Sequence, residues 1–190
     1  MQTVDPAVSQ QKFQFELNTY LSIEETHRTR GVFMIKAEYP DIILLFSAPR
    51  LQPSPIVFAV KINFDNYDLE PLSVRFIHPF TFENLLHSPV QLLRKKVYPD
   101  RPPEIQTLAQ KDSTGLPFIC IPGIREYHNH PAHTGDSWLL HRNKGGEGTL
   151  GFIVDKLYEY GISAINTFQF QLVLHAPQLN INFDINSLPE

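Results

Sequence analysis

The stretch Phe58-Ala-Val-Lys-Ile-Asn-Phe-Asp-Asn-Tyr-Asp-Leu-Glu-Pro-Leu-Ser-Val-Arg-Phe-Ile-His-Pro79 decides the fold. Its first part, to Phe64, is apolar and β-branched, as a strand packed against a core requires. Asp65 to Glu70 supply turn chemistry, and Pro71, which has no amide hydrogen to donate, suits the start of a second strand from Leu72 to Ile77. Upstream, Val32 to Tyr39 and Asp41 to Ser47 have the same composition and are set off by Pro40, Pro49, Pro53 and Pro55. Four consecutive strands of this kind predict an antiparallel meander. Ahead of them, Phe13, Leu17, Tyr20 and Leu21 recur near helical spacing and predict a helix over Ala7 to Leu21, although Phe13-Gln-Phe15-Glu-Leu17 also fits a strand.

Downstream, a short helix is predicted over Phe82 to Lys96, followed by the proline-rich Tyr98 to Pro103. Residues 80–117 thus read as an insertion or long ordered loop. Gly115 to Gly148 is rich in Gly, Pro, His and Asn, which is loop chemistry, and loops on a rigid scaffold are where function concentrates. Thr149 then offers a helix cap, and Leu150, Ile153, Val154, Leu157 and Tyr158 repeat at helical spacing up to Gly161. The tail alternates as Phe168, Phe170, Leu172, Leu174 and again Leu179, Ile181, Phe183, Ile185, which predicts two C-terminal strands over 167–185. The expected class is a single α+β domain over 1–190, its core at 32–161.

A chain of 190 residues with 42 % hydrophobic residues, 14 Phe and 7 Tyr can bury one sizeable core. A net charge of -4 without a dense basic stripe argues against nucleic acid or an anionic membrane as partner. The apolar runs fall well short of the roughly 20 residues needed to cross a bilayer. One cysteine permits no internal disulfide and no secretory leader is legible, so a cytoplasmic location is expected.

Phe64, Tyr67, Pro71, Val74, Phe76 and His78-Pro79 stand in an order and spacing that resembles the third and fourth strands of ubiquitin-conjugating enzymes. Gly115-Leu-Pro-Phe-Ile-Cys120-Ile looks like the same family's segment around its catalytic cysteine, and Trp138 and the helix from Thr149 follow as its tryptophan and next helix do. The resemblance covers about Val32 to Gly161 and implies the UBC fold, with Cys120 as nucleophile. Three features depart from the family's pattern. Phe80 stands where the family has its oxyanion-supporting asparagine, some 40 residues separate His78-Pro79 from Cys120 where the family has far fewer, and the C-terminal helices are replaced by expected strands.

Conjugation needs a thiolate near neutral pH, and neighbouring cations lower a thiol pKa. Arg125, His128, His130 and His133 follow Cys120 closely enough to act so. The plain alternative for a lone cysteine is a small buried hydrophobe. Asn129 is a candidate for the missing oxyanion donor, with Asn84 a second, and Asp136 a candidate to orient a histidine. The same segment also supports metal chemistry. Cys120, Glu126, His128, His130 and His133 place a thiolate, a carboxylate and three imidazoles within 14 residues, and zinc takes four such ligands. This set resembles a metal-binding family named for a Cys-Glu-His-His signature, found in bacterial operons with ubiquitin-like, activating and isopeptidase-like proteins. Two expectations result. One is a ubiquitin-conjugating-like transferase that holds a ubiquitin-like modifier as a thioester on Cys120, with His128, His130 and Asn129 assisting, no cofactor, and an activating enzyme and the modifier as partners. The other is a non-catalytic protein of the same fold that binds zinc through Cys120, Glu126, His128, His130 and His133.

Overall fold

A computed structural model describes residues 3–86, 94–97, 104–142 and 144–167. The first helix, α1 (Pro6–Leu21), starts where Asp5 accepts a hydrogen bond from the Ala7 amide and Pro6 presets the first turn. It buries Phe13, Glu16, Leu17 and Tyr20. A short α2 (Glu24–Thr29) follows and buries His27.

The meander is present as expected: β1 (Val32–Glu38), β2 (Asp41–Ser47), β3 (Ile56–Asn63) and β4 (Ser73–Ile77) pair antiparallel in the order β1-β2-β3-β4. Its register sets Phe46 against Phe58, Leu44 against Val60, and Val60 against Phe76. Ile42, Leu44, Phe46, Phe58, Val60, Ile62, Val74 and Phe76 therefore share one face and form the core with α1 and α5 (Leu150–Gly161). Ile43, Ala59 and Ile77 point to the other face and form a second small cluster. Burial on both faces explains why Ile42 to Phe46 reads as a continuous apolar run and not as an alternation.

Beyond β4 the sequence reading needs correction. No helix occupies Phe82 to Leu86: Phe82 has a positive φ of 60°, the Leu85 amide donates to Phe76 O, and Asn84 bridges Ile77. These bonds fold the chain back on the end of β4, and the left-handed backbone at Phe82 is incompatible with a helical first turn. Arg94–Val97, the far end of the expected helix, is a strand, β5, paired with β6 (Glu104–Thr107). The middle of that expected helix, 87–93, lies outside the described residues.

The segment expected as loop also holds more structure than its composition suggests. β7 (Ala109–Lys111) pairs with β8 (Pro117–Ile119), and α3 (Arg125–His128), a 3-10 turn (Pro131–His133) and α4 (Trp138–His141) follow before α5. Helix α5 begins as predicted, with Thr149 capping the Phe152 amide. The C-terminal strands expected over 167–185 lie, past Thr167, outside the described residues. The fold is thus α+β, a four-stranded antiparallel sheet with flanking helices.

Candidate functional site: a cysteine-histidine pair at the end of β8

The sheet positions the site through one carboxylate. Ile124 bridges Leu72 at the foot of β4, and the Arg125 amide donates to Leu72 O. Glu126, on α3, is buried and accepts from the Ser73 hydroxyl at 2.5 Å and the Val74 amide at 3.0 Å, with Arg75 Nε at 3.3 Å. Arg75 also meets Asp112 at 2.5 Å. Both oxygens of Glu126 are thereby committed to β4, and α3 is clamped to the sheet.

Cys120 follows β8 directly, and its amide donates to Leu108 O at 2.7 Å. Phe118, Ile119 and Ile121 on either side are fully or nearly fully buried, whereas Cys120 is half-buried. After α3 the 3-10 turn, begun by Pro131 and capped by His130 Nδ1 accepting from the Ala132 amide, carries His133 back toward β8. His133 Nε2 lies 3.2 Å from Cys120 Sγ, within hydrogen-bond reach for sulfur. Burial pushes the thiol above its ordinary pKa, with Lys95 opposing. Burial, then neighbouring His130, pushes His133 down. Both shifts favour the uncharged pair, a thiol donating to a neutral imidazole.

The other predicted residues separate around this pair. His128 Nε2 accepts from the Gly123 amide at 3.1 Å, so its hydrogen is on Nδ1, which donates to Asp136 O at 2.8 Å. His128 thus ties two loop segments together, and both its nitrogens are occupied. His130 sits between Phe118 and His133, with ring centroids 5.6 and 5.7 Å away. Asn129 is exposed at the C-cap of α3. Trp138 is buried, donates to Asp68 O at 3.1 Å and packs so closely on Gly148 that a Cβ there would fall 2.3 Å from the indole. It braces the segment as a packing residue.

The sequence reading gave no role to three further residues, Tyr127, His141 and Glu147. The Tyr127 ring stacks on His133 at 3.8 Å between centroids and 20° between planes, and its hydroxyl donates to Asp136 at 2.8 Å. His141 Nε2 meets the other oxygen of Asp136, and its Nδ1 lies 2.6 Å from Glu147. With a carboxylate at each nitrogen His141 is held as imidazolium, and the Asp136 bond is the main cause of its raised pKa. Asp136 therefore orients His141 and Tyr127. Its two contacts span five and nine residues of irregular chain, a separation without periodic signature.

The five metal-competent residues do not converge. Glu126 faces β4, His128 is spent on backbone groups, and Cys120 and His133 are left with His130 alongside. Among the described residues no group of three or more His, Cys, Asp or Glu side chains is placed to hold an ion, and the donor set does not fit the four-ligand site zinc takes. No helix among them is long and apolar enough to cross a membrane.

The fold and the site define an α+β protein in which a cysteine at the end of a short β-hairpin meets a histidine on a 3-10 turn, beside a four-stranded meander. Residues 4–165 match the Y4jH-like family. Protein y4jH of Sinorhizobium fredii (strain NBRC 101917 / NGR234) is 40 % identical over 187 residues, covering 90 % of this chain and 91 % of that protein. The chain belongs to the Y4jH-like family. The name states no activity, so chemistry has to be argued from the site.

Proposed function

We propose that this protein is a ubiquitin-conjugating-like transferase of the UBC type, which accepts the C-terminus of a ubiquitin-like modifier as a thioester on Cys120. The observation that carries this reading is the partly buried Cys120, its sulfur 3.2 Å from the nitrogen of a histidine that burial keeps neutral. It is supported by the order of parts: an N-terminal helix, a four-stranded meander, His78-Pro79, the cysteine, a buried tryptophan and a helix. In the first step His133 Nε2 takes the thiol proton while Cys120 Sγ attacks the thioester carbonyl on the activating enzyme. The new S–C bond forms, the old one breaks, and the departing thiolate recovers a proton from His133. In the second step a target amine attacks, loses its proton to His133, and Cys120 leaves as thiolate. A positioned base of this kind contributes on the order of a hundredfold or more. His133 thus takes the role that the sequence suggested for His128 and His130.

The test is incubation of the protein with a ubiquitin-like modifier, its activating enzyme and ATP. The expected result is an adduct that thiol reductant removes and that Cys120→Ala abolishes. Failure to form it, together with one equivalent of zinc in the purified protein, would replace this reading with the metal-binding one.

A further inference from the structure

A cysteine and a histidine side chain in contact are useful only if the imidazole is held still, because a free ring samples rotamers that break the contact. On its covalent side His133 belongs to a three-residue turn and is only partly buried, a poor anchor by itself. What it lies against is Tyr127, nearly parallel and at 3.8 Å. Tyr127 is in turn fixed at its far end: its hydroxyl reaches Asp136, Asp136 is held by His141, and His141 by Glu147. Glu147 stands two residues before Thr149, the cap of α5, so the chain of contacts ends on a helix whose Leu150, Ile153, Val154 and Leu157 are buried in the main core.

We propose that Tyr127, tethered through Asp136, His141 and Glu147 to the start of α5, is the positioning residue that holds His133 Nε2 against the Cys120 thiol. It rests on the Cys120–His133 pair alone and not on any modifier, so it extends the reading above without depending on its substrate. The function of Tyr127 is to present a flat apolar face to the imidazole, and the function of the polar chain is to keep that face from rotating away. Removing Tyr127 should therefore act only through His133.

The rate of Cys120 alkylation by iodoacetamide in the full-length protein, followed by intact mass from pH 6 to 10, reads this directly. Sulfur displaces iodide, the S–C bond forms, and the thiol proton goes to His133 Nε2. His133→Ala should slow the reaction about tenfold at pH 7.5 and move its midpoint up by about one pH unit, a tenfold change being one unit of pKa. Tyr127→Leu should come close to the same slowing. Introduced into His133→Ala, Tyr127→Leu should add nothing. Tyr127→Phe, which keeps the ring and loses the hydroxyl, should give a smaller slowing that likewise vanishes in the His133→Ala background, and it serves if the leucine variant does not fold. Slowing by Tyr127 variants that persists undiminished without His133, or wild-type rates in both, would overturn the proposal. Non-additive alkylation with no thioester in the conjugation assay would sink only the proposed activity. Thioester formation with additive alkylation would sink only the role of Tyr127.

Discussion

The sheet and the segment from Cys120 to Gly148 are built by different means. β2, β3 and β4 are held by ladder hydrogen bonds and by side chains such as Phe46, Phe58 and Phe76 that need only be apolar, of the right size and on the right face. The site segment has little regular structure, and its shape is fixed by directed bonds from particular atoms: Glu126 to Ser73 and Val74, His128 to Gly123 and Asp136, Tyr127 to Asp136. Burial makes the first region tolerant of chemistry and sensitive to volume; directed bonding makes the second the reverse.

Variants in the two regions should therefore fail in different ways. The largest loss is expected from Phe46→Ala, which empties a fully buried ring position: about 3–5 kcal/mol by urea denaturation, with the pH midpoint of Cys120 alkylation unmoved while the protein stays folded. Glu126→Ala should cost about 2–3 kcal/mol, since it leaves the Val74 amide and Arg75 short of a partner, and here the alkylation profile should also change because α3 loses its clamp. An unchanged profile in that variant would show that α3 is placed by its backbone bonds alone.

Two histidines sharpen the contrast through opposite responses to pH. His27 is buried against Tyr20, with rings 4.4 Å apart and neither nitrogen hydrogen-bonded. Burial lowers its pKa, with Asp155 and Glu24 pulling up and Arg30 down. The unfolded chain thus binds the proton more readily, so the stability His27 contributes is intact above about pH 6.5 and is lost as pH falls toward its folded pKa. His27→Leu should flatten that acid limb, a smaller effect than the Glu126 loss, seen by comparing urea midpoints at pH 5 and 7.5. His141 is raised instead, so its contribution is present below pH 6.5 and lost as pH rises through its folded pKa. The smallest effect is expected from His141→Gln: about 0.5–1 kcal/mol at pH 6, because Asp136 and Glu147 are partly solvated, shrinking as pH rises through the folded pKa of His141.

The same contrast governs what could be read from the chain. The meander and α5 were legible because β-branched runs between prolines, and apolar residues three and four apart, report burial directly. The helix expected over Phe82 to Lys96 is absent at its two described ends because Leu85 is tied back to Phe76 and Arg94–Val97 pairs with Glu104–Thr107, long-range bonds which no local pattern encodes. Cys120 stands out in the sequence from its place in an ordered series of features, and the structure sets His133 beside it. That partner was not legible, because the contact with His133 is made by two short turns without periodicity. Glu126 was grouped with the metal-competent residues because a carboxylate has the same chemistry whether it serves as ligand or clamp, and a four-residue helix does not reveal which way its side chain faces.

The bridge from Ile77 to Asn84 and the bond from the Cys120 amide to Leu108 O fix the two ends of the excursion between Asn84 and Leu108. Lengthening such an excursion costs only about 0.6 kcal/mol per doubling. Relatives should therefore be free to gain or shed residues there over evolutionary time. Between Asn129 and Pro131 no such latitude exists, since one inserted residue would swing His133 off the sulfur.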